Sequence, residues 1–513
     1  MTSPDAAPTT SYRTPSPRRR APEPRVSRWR WLRSARLWSG LGALGLIALI
    51  LLADHDVVSA SGQTVHLGLP GLITLVTFVA AVWAWAFTPL DDTFVALVAG
   101  TVLVLAGVLD SDRLFATLGD DTIWLLVSAF VIAAGVTSSG LSDRAACWLV
   151  AGATGVRSLV HLITAALVVT TFAVPATSGR AALTLPVFIA IATVLAARGQ
   201  EYGRLIRALA LLFPTVILLS AVGSLLGAGA HLVTSQVVQT ATGDGFSFAQ
   251  WLLLGLPLAL VSSHLAAELV LVLFLARDDR ARPIDLSVEE LSQAAPYPVT
   301  GPMSVYESRA ALIVVTVVIL WCTASLHGVH PAIVALIGAL ITTSPRYGST
   351  RLKDNLKKVP WSLLLFLAAT LALGDALMTS GAAQWMATTL LAGLGIDSSL
   401  PFMIAVVVVS TLAHLVIQSR SARSAVLVPI VVALAPTMGV SPAAAAFAST
   451  AAAGFCHTLP ASAKPVAMFS AVTEVPTYTP ADLRRLSLLL APLTAALVLL
   501  FSYTVWPLLG LPL

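Results

Sequence analysis

Two short polar stretches interrupt long apolar runs in this chain, and both carry arginine. The first reads Ala176, Thr177, Ser178, Gly179, Arg180; the second reads Ser419, Arg420, Ser421, Ala422, Arg423, Ser424. Each sets hydroxyls and a guanidinium at the mouth of a new apolar segment. If that segment is a helix, its free N–H groups and the positive end of its dipole favour an anion, and arginine adds bidentate hydrogen bonds to a carboxylate or oxyanion. Two further interruptions, VGSLLGAGAH (222–231) and FCHTLPASAKP (455–465), add His231, His457, Ser462 and Lys464. The candidate anion-binding set is therefore Thr177, Ser178, Arg180, Ser419, Arg420, Ser421, Arg423, Ser462 and Lys464, with His231 and His457 in secondary roles. Asp375 and Glu268 lie well inside apolar segments, where an acid costs about 2.5–3.5 kcal/mol unless paired or protonated, which makes both candidate proton carriers.

Each assignment has a plainer alternative. Single arginines at helix ends are usually topological anchors on aqueous loops, and lysine behaves the same way. The histidines can be hydrogen-bonded helix residues, and the two acids can be ion-paired to an arginine. The anion reading gains over the anchor reading because Arg180 and Arg423 recur at matched positions of an internal repeat.

The elements that must position these residues are membrane-spanning. Of 513 residues, 57% are apolar and 11% charged, with a mean hydropathy of +0.87, which a soluble domain of this length cannot carry on its surface. Apolar spans are expected near 37–53, 71–88, 91–109, 122–138, 205–240, 250–275, 309–325, 329–343, 361–380, 443–473 and 486–508. Two of these eleven, 205–240 and 443–473, exceed one span and are interrupted by Gly, Pro and polar residues, so they read as broken helices. The regions 158–196 and 399–437 each have two arms around a short polar stretch and read as re-entrant hairpins or as paired spans. The fold class is thus an all-α polytopic membrane protein with about eleven transmembrane helices, two re-entrant hairpins and two broken helices. Cys147, Cys322 and Cys456 are far apart, which suggests neither a disulfide framework nor a thiolate metal site.

Residues 1–36 hold nine arginines against Asp5 and Glu23, are rich in Pro and Ser, and read as a disordered basic tail kept in the cytoplasm. A secretory signal is the competing reading, with the apolar run 41–53 ahead of Ser59, Ala60 and Ser61, but its arginine-rich lead is too long.

The repeat can be checked in register. The segment 123–141 matches 361–382 in having an early Trp, an apolar span and a terminal Ser-Gly, which aligns Gly140 with Gly381 at an offset of 241. The segment 176–186 matches 419–429, aligning Arg180 with Arg423 and Pro186 with Pro429 at an offset of 243. Loop charge orients the copies: 110–121 holds four acids and one base, whereas 343–360 holds five bases and one acid. By the positive-inside rule the two loops face opposite sides, so the repeats are inverted, an architecture of secondary transporters. The expected division is a tail (1–36), a first helix and loop (37–70), a first repeat (71–275), a cytoplasmic linker (276–308) and a second repeat (309–513), in a bacterial-type inner membrane.

From about residue 70 to 510 the order of these motifs resembles the divalent anion:sodium symporter family. That family has a Trp-bearing helix, a hairpin with a Ser-Asn-Thr tip, and a Gly-rich or Pro-Pro-Asn-containing break, repeated in inverted form. Its tips map onto Ala176-Thr177-Ser178 and Ser419-Arg420-Ser421, and its breaks onto 222–231 and 461–465. The resemblance implies re-entrant hairpins, a homodimer, and a scaffold against which a transport part moves in an elevator-like step. It also implies two sodium sites beside a dicarboxylate, yet the asparagines that reach the substrate are replaced here by Thr177 and Arg420. A fixed guanidinium can balance an anion without being carried. The expectation is a sodium-independent anion carrier, either an exchanger or one coupled to protons through Asp375 or Glu268. Its substrate would be a di- or tricarboxylate first and sulfate or another oxyanion second, with membrane lipid around it and no cofactor, metal or nucleic acid.

Rival classes are an arsenite or sodium/proton transporter, a copy that has lost transport, and a membrane-embedded enzyme. The arginines repel cations, and the chain holds no phosphate loop ending in Lys-Ser/Thr, no His-Glu-x-x-His and no Gly-x-Ser-x-Gly.

Overall fold

A computed structural model describes residues 28–53, 55–58, 64–141, 144, 152–284, 290, 301–394 and 398–513. Most of the expected tail (1–27), part of the linker (285–289 and 291–300) and Cys147 lie outside the described residues.

The protein is a helical, multi-pass membrane protein. Ten of its described helices are long and apolar enough to span a bilayer, and four more are shorter and apolar. Helices dominate because the hydrocarbon core offers no water to unpaired backbone groups, so each segment must satisfy its own N–H and C=O groups. Buried hydroxyls follow the same logic and donate one turn back, as Thr164 does to the Val160 carbonyl at 2.8 Å and Thr370 to the Phe366 carbonyl at 2.9 Å. Along Val305–Cys322 the exposed apolar residues Leu312, Val315 and Ile319 fall at helical spacing, the pattern of a lipid-facing stripe.

The first helix begins at Arg28 and runs to Leu52, so its opening turns lie in what composition alone assigns to the tail. An antiparallel ribbon, Asp56–Val58 paired with Thr64–His66, follows it and has no counterpart in the sequence reading.

Four discontinuities position the polar residues. In the first hairpin, Val156–Ala173 turns into Thr177–Arg198 through three residues. Pro175 lacks an N–H and pushes Val174 into an extended conformation, so the first arm must end there. The second hairpin runs from Ser399–Leu412 through a 3-10 turn, Ala413–Leu415, to Arg420–Leu434. Ser419 caps the last of these by accepting from the Ala422 N–H at 3.3 Å.

The first broken helix is Gly203–Leu219, two 3-10 turns over 220–227, then Gly229–Thr242. A Cβ on Gly227 would stand 2.0 Å from the Ala221 carbonyl oxygen, so glycine is required for the chain to fold back this tightly. The second is Pro442–Ala453, an irregular stretch containing the 3-10 turn Pro460–Ser462, then Lys464–Ser470. The order long helix, hairpin, broken helix, long helix occurs from Asp121–Ser139 to Phe248–Phe274 and again from Trp361–Thr379 to Pro480–Leu500.

The two broken helices interlace. Gly229–Thr242 packs on Arg420–Leu434 and Pro442–Ala453, with Thr234 Oγ1 and Thr450 Oγ1 2.5 Å apart. Lys464–Ser470 in turn packs on Thr177–Arg198 and Gly203–Leu219. Each broken helix thus packs against the second arm of the hairpin from the other run.

Candidate anion-binding site

Arg180 and Arg423 occupy matched sequence positions, and both side chains are 0% exposed. Their surroundings differ. Arg180 donates through Nε to Thr170 Oγ1 at 3.0 Å, through Nη1 to the Ile217 carbonyl at 2.9 Å, and through Nη2 to the Leu167 carbonyl at 2.6 Å and Ser220 Oγ at 2.7 Å. The protein therefore holds Arg180 on four oxygens. Arg423, by contrast, has no hydrogen-bond partner on Nε, Nη1 or Nη2 among the described residues. Among the described residues the third buried arginine, Arg144, is ion-paired to Glu307 at 2.7 Å.

Arg420 lies between them. It reaches the Leu218 carbonyl at 3.5 Å, approaches Gly454 in the second break, and is within electrostatic range of Arg180, Arg423, His231 and His457. The guanidinium groups of Arg180 and Arg420 thus reach the end of Gly203–Leu219, and among the described residues no carboxylate pairs with Arg180, Arg420 or Arg423.

The histidines split by tautomer. His231 is stacked on Trp251 with centroids 4.9 Å apart, and its Nδ1 lies 2.9 Å from the Ser224 carbonyl. Nδ1–H must donate to that carbonyl, so Nε2 of the neutral ring is an acceptor and offers an anion nothing. His457 Nδ1 accepts from the Cys456 N–H at 3.3 Å, which puts the proton of the neutral ring on Nε2. That Nε2 is buried without a partner, with the Thr215 carbonyl nearby. The His457 Nε2–H thus has the Thr215 carbonyl as its nearby acceptor, whereas His231 Nε2 carries no proton to give.

The hydroxyls at the tips are partly open. Thr177, Ser178, Ser419 and Ser421 are half-buried, and Ser421 Oγ approaches Gly229 across the two copies. Ser462 is buried and accepts the Leu459 N–H at 3.0 Å, so it closes its own turn. Lys464 is exposed at the start of its short helix.

The two acids stand elsewhere. Asp375 pairs with Arg113 at 3.2 Å. Glu268 pairs with Arg157 at 2.7 Å and with His161 Nε2 at 2.6 Å, while His161 Nδ1 lies 2.8 Å from His264 Nδ1. Both acids are thus ion-paired, and their partners are not the arginines of the hairpin tips.

A family model, the sodium:sulfate symporter transmembrane region, matches residues 63–511. The chain belongs to the sodium:sulfate symporter family. It is accordingly a multi-pass membrane transporter and not an enzyme. One relative is a protein of Cupriavidus necator described only as a membrane protein, 27% identical over 75% of this chain and 74% of its own. Another is the sodium-dependent dicarboxylate transporter SdcS of Staphylococcus saprophyticus, 24% identical over 83% of both chains. The YdaH transporter of Alcanivorax borkumensis has a similar fold, with a TM-score of 0.55 and 17% identity over 94% of this chain and 99% of that one.

Within this sodium:sulfate symporter chain the sequence reading missed two residues near the candidate site, His414 and Asp92, and left a third, Ser424, out of the donor set although it lies in the second polar stretch. His414, buried in the turn of the second hairpin, is fixed by the Thr411 carbonyl at 2.6 Å and Thr458 Oγ1 at 2.8 Å and lies in electrostatic range of Arg423. Ser424 is buried with its hydroxyl unpartnered beside Arg423 in sequence. Asp92, at the start of Asp92–Leu105, lies against Ser419 and in electrostatic range of Lys464, so it partly balances the mouth of the second hairpin. Ser424 was visible as the end of the SRSARS run; the other two become neighbours of the site only through folding.

Proposed function

We propose that this chain is a sodium-independent secondary carrier of small anions, with di- or tricarboxylates preferred and sulfate or another oxyanion second. The observation that carries the reading is Arg423, a fully buried guanidinium with no partner on any of its three nitrogens. An uncompensated buried charge costs several kcal/mol, and an oxyanion accepting bidentate hydrogen bonds removes that cost. Arg420 and the hydroxyls of Ser421 and Ser424 complete the donor set.

Transport follows an elevator-like movement of the hairpins and breaks against the remaining helices, in a homodimer of the inner membrane with the N terminus cytoplasmic. Coupling is by anion exchange or by protons through Glu268. Glu268 is favoured over Asp375 because it ends a hydrogen-bonded chain through His161 to His264, whereas Asp375 has one half-exposed pair.

The test is uptake of labelled succinate, citrate and sulfate into proteoliposomes, with sodium replaced by choline and with the pH gradient and internal anion varied. Uptake should persist in choline. Arg423→Ala should lower its kcat/KM by about 10- to 150-fold, the worth of one charged hydrogen bond. Glu268→Gln should remove any response to a pH gradient, and Asp375→Asn should leave it intact. Uptake that requires sodium and ignores Arg423→Ala would sink the reading.

A further inference from the structure

Arg180 stands in a cage that is unusual for a side chain. Its four acceptors are all oxygens, and none belongs to an acid. Two are main-chain carbonyls, Leu167 inside Val156–Ala173 and Ile217 in the last turn of Gly203–Leu219. The other two are hydroxyls whose own protons are already committed. Thr170 Oγ1 donates to the Leu167 carbonyl at 2.6 Å, and Ser220 Oγ donates to the Val216 carbonyl at 2.6 Å. Only lone pairs therefore face the guanidinium.

Ile217 sits in the last turn of Gly203–Leu219, at the negative end of that helix's dipole. Carbonyl and hydroxyl oxygens without a thiolate or imidazole among them are the ligand set of a hard cation. In a family whose model is that of a sodium:sulfate symporter, this is where a small monovalent cation would fit by chemistry. The residues present do not leave it room, because the guanidinium of Arg180 occupies the cage.

We infer that Arg180 is a tethered cation that fills an oxygen cage made by Leu167, Thr170, Ile217 and Ser220, and that truncating it turns this chain into a sodium-binding protein. The inference deepens the sodium-independent reading and names its cause. The fixed charge holds together the first arm of the hairpin and the end of the first broken helix. It also holds the first tip at constant charge, so the anion at Arg423 can be loaded without a mobile counter-ion.

The experiment reads thermal stability, so it is independent of whether any tested anion is transported. The full-length protein in detergent is melted in choline chloride, sodium chloride or methylguanidinium chloride at about 100 mM. Wild type should melt at one temperature in choline and sodium. Arg180→Ala should melt lower in choline and regain about 2–4 °C in sodium or methylguanidinium, as expected for a ligand that binds only the folded state. Arg180→Lys, which keeps a tethered charge, should be indifferent to sodium. An Arg180→Ala protein as stable as wild type in choline, or one equally unstable in all three salts, would overturn the inference. Failed anion uptake with sodium rescue intact would instead count against the transport reading alone.

Discussion

At the scale of single residues the decisive contrast is between two arginines in matched register. Arg180 is saturated by oxygens, whereas Arg423 is buried with nothing to donate to. Arg423 should therefore destabilise the anion-free protein. Replacing even a buried ion pair by apolar side chains of similar volume is often neutral or stabilising by about 1–4 kcal/mol, and an unpaired buried charge lacks the attraction that offsets its desolvation in a pair. Arg423→Met is expected to melt at or above the wild-type temperature in anion-free buffer and to lose the rise that succinate or sulfate gives wild type. A melting temperature that falls, with the anion response retained, would return Arg423 to a structural role. The sequence could nominate both arginines but could not tell them apart, because the oxygens that separate them come from residues 167, 170, 217 and 220.

At the scale of elements, the hairpins and breaks were legible because Gly, Pro and hydroxyl residues interrupt otherwise apolar runs. What composition does not reveal is the strain at the first tip. Ala176 is the non-glycine residue with positive φ among the described residues, at φ 68° and ψ 138°. That conformation costs a residue with a Cβ about 1–3 kcal/mol. It is held by the Ala176 N–H, which donates to the Leu226 carbonyl of the first break at 3.3 Å. Ala176→Gly should raise stability by about 1 kcal/mol, the strain relieved less the entropy that glycine loses on folding. Chemical denaturation of the two proteins in one detergent checks this, and a loss of stability would mean that Ala176 is not strained in the folded protein.

At the scale of the whole molecule, the first tip meets a different set of helices. Thr171, Phe172, Ala173 and Pro175 line a void of about 20 Å³ with Ala129 and Ile132 of Asp121–Ser139 and Val314, Val317, Val318 and Trp321 of Val305–Cys322. The lining is almost wholly apolar, so one surface can slide on the other without breaking polar contacts, as the proposed elevator step requires. A reducible cross-link between Phe172→Cys and Val318→Cys, in a background without Cys147, Cys322 and Cys456, should stop anion uptake, and reduction should restore it. Uptake that continues in fully cross-linked protein would exclude movement at this interface.

The sequence by itself determined the class and much of the element order. Hydropathy reports the solvent a segment needs, and a hydrocarbon solvent permits little besides helices. It also located the polar breaks, because an arginine or a glycine inside an apolar run is costly wherever the chain goes. Only the tertiary structure decided which cation is engaged, which histidine nitrogen carries the proton, and that Glu268 and Asp375 pair outside the arginine cluster. Those outcomes depend on oxygens and side chains brought together from distant parts of the chain, and residue type at one position carries no information about its partner across the fold.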